Sequence, residues 1–469
     1  MTGARRLYLE TLGCSKNLVD SEALLNLLPA GRFTAVDDPA AADVIVLNTC
    51  GFIEAAREEN VERLLALAAV KRETGARLAV TGCLSQRYAR TLAEEVPEID
   101  LLAGVCQQAE LARALAVLGD AGGAPRSLVP DAPRIAFDGC LGRPLLTPPH
   151  LAYVKVSEGC SRACAFCAIP AIRGSYRSRP PGDIEAEVRE LASRGVGEIN
   201  LISQDTAAYG RDIGGDLPGL VRRLARAGGP RWLRLFYLHP ALVDLPGLLD
   251  IFDQPRVAPY LDMPIQHASD AVLARMRRGH DRARLAALLG GLRRERPDLC
   301  LRTTVLVGHP GETEDDFARL LDFLAEHPFD KLGAFAFSVE EGTPAADMPD
   351  PVPAEVAAER LERLQVQQMD ISAERHEALV GRILGCFVEA LAGAGDGLPP
   401  GRGADPLATS PFPGARAALR SERDAYEVDG HLFLDDAGEL ILGQYVEAEV
   451  LAADVYDLRG RLARTPDRH

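Results

Sequence analysis

At 469 residues, 47% hydrophobic and 26% charged, the chain has ordinary globular composition and is long enough for about three domains. A formal charge of −16 excludes a protein whose main surface tracks a phosphate backbone, although a local basic groove is compatible with it. Ten cysteines are too few for a disulfide scaffold and favour metal or redox chemistry in a reducing compartment. No apolar run approaches the roughly 18 residues of a membrane span, and the opening MTGARRLYLE turns charged before a signal-peptide core can form. A cytoplasmic protein with no membrane partner is therefore expected. Arginine outnumbers lysine 48 to 4, a genome-level bias that leaves single arginines little diagnostic weight.

The first hundred residues repeat one pattern: a short apolar stretch, a turn carrying cysteine, then an amphipathic helix. The three stretches are RLYLETLGC ending at Cys14, ADVIVLNTCG with Cys50, and ARLAVTGC ending at Cys83. They read as buried parallel strands, and Val61, Leu64, Leu65 and Ala68 mark the apolar stripe of a helix between the second and third. In a βαβ sheet ligands gather beyond the carboxyl ends of the strands, so the three cysteines can converge across 35 and 32 intervening residues. From about 120 to 149, Pro125, Pro130, Pro133, Pro144, Pro148 and Pro149 exclude a continuous helix and predict a linker.

Six strand-like segments then alternate with helical ones: YVKVSEG, EINLISQD, WLRLFYLHP, YLDMPIQHAS, LRTTVLVGHPGE and LGAFAFSVEEGT. Each ends in polar or glycine residues, as barrel strands do when they present a site at the carboxyl face, and six units predict a partial rather than a complete eight-unit barrel. A charged helix over about 354–380 leads to a last region in which HLFLDD and QYVEAEVLAADVYDL predict antiparallel strands. A Gly/Pro-rich insertion, roughly 391–418, is expected to be mobile.

The strongest local signal is Cys160-Ser-Arg-Ala-Cys164-Ala-Phe166-Cys167, directly after the first barrel strand. Three thiolates so spaced can reach three irons of one 4Fe-4S cube and leave the fourth iron open. An open iron can chelate the amino and carboxylate groups of S-adenosylmethionine, where an electron from the cluster cleaves the sulfonium to a 5′-deoxyadenosyl radical. A closed structural zinc site wants four N or S ligands, and no fourth cysteine or histidine stands at the usual spacing.

This motif resembles that of the radical S-adenosylmethionine superfamily. LGCSKNLVDSE, NTCGFI and TGC are similar to the N-terminal domain of its methylthiotransferase family, and SEGCSRACAFCAIPAIRG, ISQDTAAYG, PYLDMPIQHAS and VGHPGETEDDF continue the match. The resemblance implies an α/β protein. An N-terminal parallel-sheet methylthiotransferase domain (1–130) and a linker (131–148) would precede a partial (β/α)6 radical core (149–377) and a small antiparallel TRAM-like β domain (378–469). It also implies that Cys160, Cys164 and Cys167 bind the radical-generating cluster, and that Cys14, Cys50 and Cys83 bind a second 4Fe-4S cluster holding sulfur for transfer. Taken alone, three such widely spaced cysteines are more often core residues, and their placement at strand ends makes ligation an equal reading. Cys106, Cys140, Cys300 and Cys386 match no motif and read as buried thiols.

At the ends of the barrel strands, the resemblance places Ser203, Gln204 and Asp205 where superfamily members contact the amino group of S-adenosylmethionine; the alternative is a turn and helix cap. Arg302 is expected to pair with the cofactor carboxylate, Gly308 and Gly311 to let backbone approach the adenosyl group, and Phe166 to pack over cluster or adenine. Gln266 and His267 close the fourth strand, where one reading has them face substrate or ribose; the histidine reads best as a hydrogen-bonded structural residue. His309 stands where relatives carry an aromatic residue.

The implied reaction is methylthiolation of the β-carbon of one aspartate in small-subunit ribosomal protein S-twelve, free or on the ribosome. One S-adenosylmethionine would donate methyl to the sulfur and a second would yield the radical, with electrons from a separate donor. The nearest alternative, a tRNA adenosine methylthiotransferase, calls for a basic C-terminal module. Residues 378–469 carry 9 Lys/Arg against 15 Asp/Glu, which suits a basic protein better than phosphates. A non-catalytic iron-sulfur electron carrier would have no use for a six-unit barrel with polar strand ends.

Overall fold

The computed structural model describes residues 4–118, 126–226, 228–393 and 405–463. In the N-terminal region the apolar runs form a parallel sheet of β1 (Arg5–Thr11), β2 (Phe33–Ala35), β3 (Val44–Thr49), β4 (Arg77–Gly82), β5 (Leu101–Leu102) and β6 (Arg126–Ser127). Its order is β2-β1-β3-β4-β5-β6, with the three cysteine-bearing strands β1, β3 and β4 adjacent. Alternation divides the central strand between two cores: Ile45 and Leu47 pack with Leu64, Leu67 and Ala68, whereas Val44 and Val46 pack with Leu24, Leu111 and Leu115.

The helix Glu54–Thr74 is present, but its buried stripe is Asn60, Leu64, Leu67 and Ala68. Val61 and Leu65, expected inside, are 40% and 52% exposed. The stripe is turned because a polar residue occupies a core position: Asn60 Oδ1 accepts the backbone N–H of Cys50 at 2.8 Å. That bond fixes the second cysteine turn.

After β6 the proline-rich linker runs without helix or strand to residue 150, and buried contacts pin it. Arg143, 1% exposed, reaches Glu22 of the first helix at 2.7 Å and pairs with Glu187 of the barrel.

The six predicted barrel segments are β7 (Leu151–Lys155), β10 (Glu198–Ile202), β11 (Trp232–Leu235), β12 (Val257–Asp262), β13 (Cys300–Val307) and β14 (Lys331–Ala336). A two-stranded ribbon of β8 (Ser157–Glu158) and β9 (Arg177–Ser178) intervenes and flanks the cysteine loop. The six strands form one parallel sheet in the order β14-β13-β12-β11-β10-β7. The helix Ser15–Leu27 packs beside β7, and Glu340, beyond β14, pairs with Arg87 at 2.8 Å and with Arg57. The N-terminal domain is thereby held over the carboxyl ends of the barrel strands.

The helix Ala354–Glu377 leads into β15 (Ile383–Leu391), β16 (Ala417–Ser421), β17 (Leu432–Leu434), β18 (Tyr445–Ala453) and β19 (Leu458–Leu462). These close into a barrel, β15-β16-β17-β19-β18. The region is not purely antiparallel as expected, because β17 and β19 pair in parallel. The reason is arithmetic: strand directions cannot alternate all the way round a ring of five. Within the predicted insertion, residues 394–404 lie outside the described residues, while Ala417 and Ala418 belong to β16 and are buried. No helix among the described residues is long and apolar enough to cross a membrane.

Candidate active site

Three glycines decide where the N-terminal cysteines go. Gly13, Gly51 and Gly82 each adjoin one of Cys14, Cys50 and Cys83, and their turns interlock, Gly51 and Gly82 against backbone and Gly13 against the Cys50 side chain. A Cβ on Gly51 would lie 2.8 Å from Leu84 N, and one on Gly82 would lie 2.4 Å from Thr49 O. Asn17 ties two of the turns together by donating to Leu12 O and Thr49 O, both at 3.0 Å.

The second triad follows β8. Cys160 N donates to Gly174 O at 3.0 Å and Cys167 N to Cys164 O at 3.2 Å, curling the loop, and all three cysteines line one cavity. Arg278 donates to Cys164 Sγ at 3.3 Å. Both triads line the same cavity of about 350 Å³, together with Phe166, Gln204, Asp205 and Gln266.

Charge between the triads is tightly arranged. Arg173, six residues after Cys167, is buried; it bonds Glu158 at 3.0 Å and Asn17 Oδ1 at 2.7 Å. Lys155 completes the cluster on Asp20 at 2.6 Å and Glu158 at 2.5 Å. Burial pushes the Cys83 and Cys167 thiols up to about 12 and Cys160 to about 11. Burial acts on Cys14 in the same sense, but Lys16 and Arg173 outweigh it and bring that thiol below its ordinary value.

Two strand ends carry strained backbone at this cavity. Tyr237 after β11 has φ +61° and Gln266 after β12 has φ +69°, values that non-glycine residues adopt only when their surroundings impose them. His239 also lines the cavity; its Nδ1 accepts Ala241 N at 3.2 Å, so the free Nε2 carries the proton. Burial, with Arg278 and Arg162 nearby, lowers its pKa to about 2 and keeps it neutral.

The expected cofactor contacts divide. Gln204 Oε1 and Asp205 Oδ1 are buried without a hydrogen-bond partner, while Gln204 Nε2 is held by Glu158 at 2.7 Å. Ser203 is spent locally, accepting Asp205 N at 3.0 Å in a turn. Arg302 is not brought to the cavity: it is the third residue of β13, toward the amino end, and pairs with Asp262 at 2.8 Å. Gly308 serves helix packing, since a Cβ there would lie 2.6 Å from that of Ala357, and Gly311 makes room for Arg275. His267 is fully buried and accepts Ser269 N, and His309 packs edge-on against Phe337. Cys106, Cys140, Cys300 and Cys386 are buried and do not line the cavity.

Lys16, Arg162, Arg173, Tyr237, His239 and Arg278 also line the cavity and were not singled out from sequence. The arginines were hidden by compositional bias, and positive φ has no sequence mark at a tyrosine.

The donor set fits iron-sulfur cubes. Among the described residues no three His, Cys, Asp or Glu side chains are grouped to hold a single ion, whereas a cube takes each thiolate on a separate iron. The orphan oxygens of Gln204 and Asp205 suit an ammonium.

Comparison with known proteins agrees with this geometry. Residues 6–104 match the Uncharacterized protein family UPF0004, residues 154–324 the Radical SAM superfamily, and residues 413–463 the TRAM domain. The chain is 45% identical to the ribosomal protein uS12 methylthiotransferase RimO of Anaeromyxobacter sp. (strain K), covering 99% of this chain and 95% of that one. It is 39% identical to the RimO of Desulfitobacterium hafniense (strain Y51), over 98% and 99%. Among solved structures it is similar in fold to the radical S-adenosylmethionine methyltransferase TsrM of Kitasatospora setae, with TM-score 0.54 at 16% identity over 73% of this chain and 75% of that one.

Fold and site together define a radical S-adenosylmethionine enzyme, a class that uses a 4Fe-4S cluster and S-adenosylmethionine. The nearly full-length likeness narrows the class to one family. The chain belongs to the RimO family of methylthiotransferases.

Proposed function

We propose that this enzyme adds a methylthio group to the β-carbon of one aspartate in ribosomal protein uS12, in the cytoplasm. In this reading Cys160, Cys164 and Cys167 hold the cluster that cleaves S-adenosylmethionine, and Cys14, Cys50 and Cys83 hold a second 4Fe-4S cluster. The observation that carries it is that both triads line one cavity. Bound there, these groups would supply one-electron cleavage on the barrel wall and a sulfur carrier on the facing wall.

The chain's own residues bind, orient and exclude. Gln204 and Asp205 offer acceptor oxygens to the cofactor's ammonium, with Gln204 fixed by Glu158 and Asp205 by Arg162 at 3.3 Å. Phe166 gives an apolar surface beside its cluster. The N-terminal domain (1–130), joined by the 131–148 linker, closes the mouth of the core (149–377) against water and aligns the two walls. Region 378–469, acidic by 15 to 9, is suited to docking a basic protein.

The test is anaerobic incubation of reconstituted enzyme with uS12, S-adenosylmethionine and a reductant, with mass spectrometry for a methylthio increment on the protein. Bulk tRNA is assayed beside it. An increment on tRNA alone overturns the protein-substrate reading.

A further inference from the structure

Of the chain's 4 lysines, three are paired with carboxylates: Lys71 with Asp100 at 2.5 Å, Lys155 with Asp20 at 2.6 Å, and Lys331 with Asp424 at 2.8 Å. Lys16 differs. It is 8% exposed, it lines the cavity between the triads, and among the described residues no carboxylate lies within ion-pair distance of it. Its ammonium rests on the face of Tyr237, 3.2 Å from the ring centroid, against the strained end of β11.

The other cations of the cavity are each held by protein oxygen, although Arg162 Nη2 and Arg278 Nε keep no hydrogen-bond partner among the described residues. Arg162 pairs with Asp205 at 3.3 Å, Arg173 with Glu158 at 3.0 Å, and Arg278 donates to Pro264 O at 2.7 Å. A buried ammonium that lines a cavity, with an aromatic face and the neighbouring Cys14 thiol around it but no carboxylate, is a half-built anion site.

We infer that Lys16 is a specificity-determining residue that binds the carboxylate of the substrate aspartate. This rests on the aspartate reading under Proposed function and deepens it. The carbon to be modified is bonded directly to that carboxylate, so fixing the carboxylate between the triads fixes the reacting C–H as well. A neutral nucleobase presents no anion for this cation, and the pairing therefore selects an acidic side chain over an adenosine.

The experiment uses fully reconstituted enzyme with S-adenosylmethionine and two probes: uS12, and uS12 with its target aspartate changed to asparagine. The affinity ratio between the probes is measured for wild type, Lys16→Met and Lys16→Arg. The ratio is internal to each protein, so incomplete cluster loading cancels. Wild type should favour the aspartate form by roughly 30-fold or more, the size expected for a desolvated ion pair. Lys16→Met should bring the ratio to within about threefold, and Lys16→Arg, which keeps the cation, should restore part of it.

An unchanged ratio in Lys16→Met overturns the assignment. If that unchanged ratio comes with a raised KM for S-adenosylmethionine, the ammonium serves the cofactor carboxylate; with an altered N-terminal cluster spectrum, it serves the cluster. The two readings fail differently: absence of methylthio product on uS12 with the wild-type enzyme removes the aspartate reading itself, whereas product with an unchanged ratio removes only the role of Lys16.

Discussion

Gly13 and Cys50 share a space too small for one more carbon: a Cβ on Gly13 would lie 2.6 Å from the Cβ of Cys50 and 3.1 Å from its sulfur. Gly13 also has φ +90°, which a side chain rarely tolerates. Gly13→Ala should therefore displace the second cysteine and destabilise the N-terminal domain by about 1–3 kcal/mol. After anaerobic reconstitution its iron content should fall while reductive cleavage of S-adenosylmethionine persists. Full iron loading and wild-type thermal stability would show that the turns do not set the cysteine spacing.

The two triads stand on different domains, so their ligands should be separable. Wild type should hold about eight irons, and a Cys160/Cys164/Cys167→Ala triple variant about four. That variant should lose reductive cleavage altogether. Replacing Cys14, Cys50 and Cys83 with Ala should instead abolish methylthio product and leave cleavage measurable. Product from the second variant would make the N-terminal cysteines structural.

A third expectation comes from the carboxylates that hold the C-terminal barrel to the core. Asp330 is bonded by Arg293 and Arg423, and Asp424 by Lys331. Glu389 is bonded by Arg420, which also reaches Glu198 of β10 at 2.6 Å. Burial opposes ionisation in all three, but the facing cations win and each pKa falls to about 2. A pKa depressed on folding stabilises the native state above the unfolded value near 4, and that contribution disappears as pH falls through the folded value. The contribution of these three carboxylates should thus be constant above about pH 5 and be lost between about pH 4 and 2, by on the order of 2 kcal/mol per carboxylate. His376, beside Lys331 and with its pKa lowered by burial to about 4, adds a loss that begins as pH falls below about 6.5. Trp232, the single tryptophan, reports it: Phe387 of the C-terminal barrel packs edge-on against it at 4.8 Å. Its fluorescence should change mainly between about pH 4 and 2, and Asp424→Asn should move the onset to higher pH. A transition centred above pH 5 would assign the docking to other groups.

Strand ends and cysteines were legible in the sequence because both are short-range signals. The six barrel segments and the three cysteine-bearing strands end where their apolar runs end, and Gly13, Gly51 and Gly82 beside the cysteines already mark tight turns. Arg302 shows where such reading stops. Its place on the right strand suggested a cofactor contact, but it stands toward the amino end, where Asp262 and Asp429 of the C-terminal barrel claim it. Val61 and Leu65 fail for a related reason: the rotation of their helix is set by Asn60 reaching for Cys50, a contact between segments that periodicity does not see. The same holds for Lys16, whose lack of a carboxylate becomes visible only once every neighbour is placed.

Substrate recognition by the acidic C-terminal barrel calls for a finer probe than its removal. Deleting residues 378–469 would strip Arg420 from Glu198, Asp424 from Lys331 and Arg423 from Asp330; Glu198 keeps Arg234 and Asp330 keeps Arg293 and Arg375, but Lys331 loses its carboxylate. Breaking such pairs destabilises strongly, so loss of activity in the truncated protein would report damage rather than recognition. Surface reversal avoids this. Asp435, Asp436 and Glu439 are all exposed, but Asp435 is already paired with Arg459, so the informative variant is Asp436→Lys/Glu439→Lys. If this face attracts a basic ribosomal protein, the double variant should weaken uS12 binding severalfold with little effect on thermal stability. Wild-type affinity should also fall as salt rises, since exposed charges are screened beyond roughly 10 Å at 0.1 M ionic strength. Fluorescence anisotropy of labelled uS12 at several salt concentrations measures both effects. Salt-independent binding that the reversal leaves untouched would transfer recognition to the cavity mouth and remove the electrostatic preference for protein over tRNA.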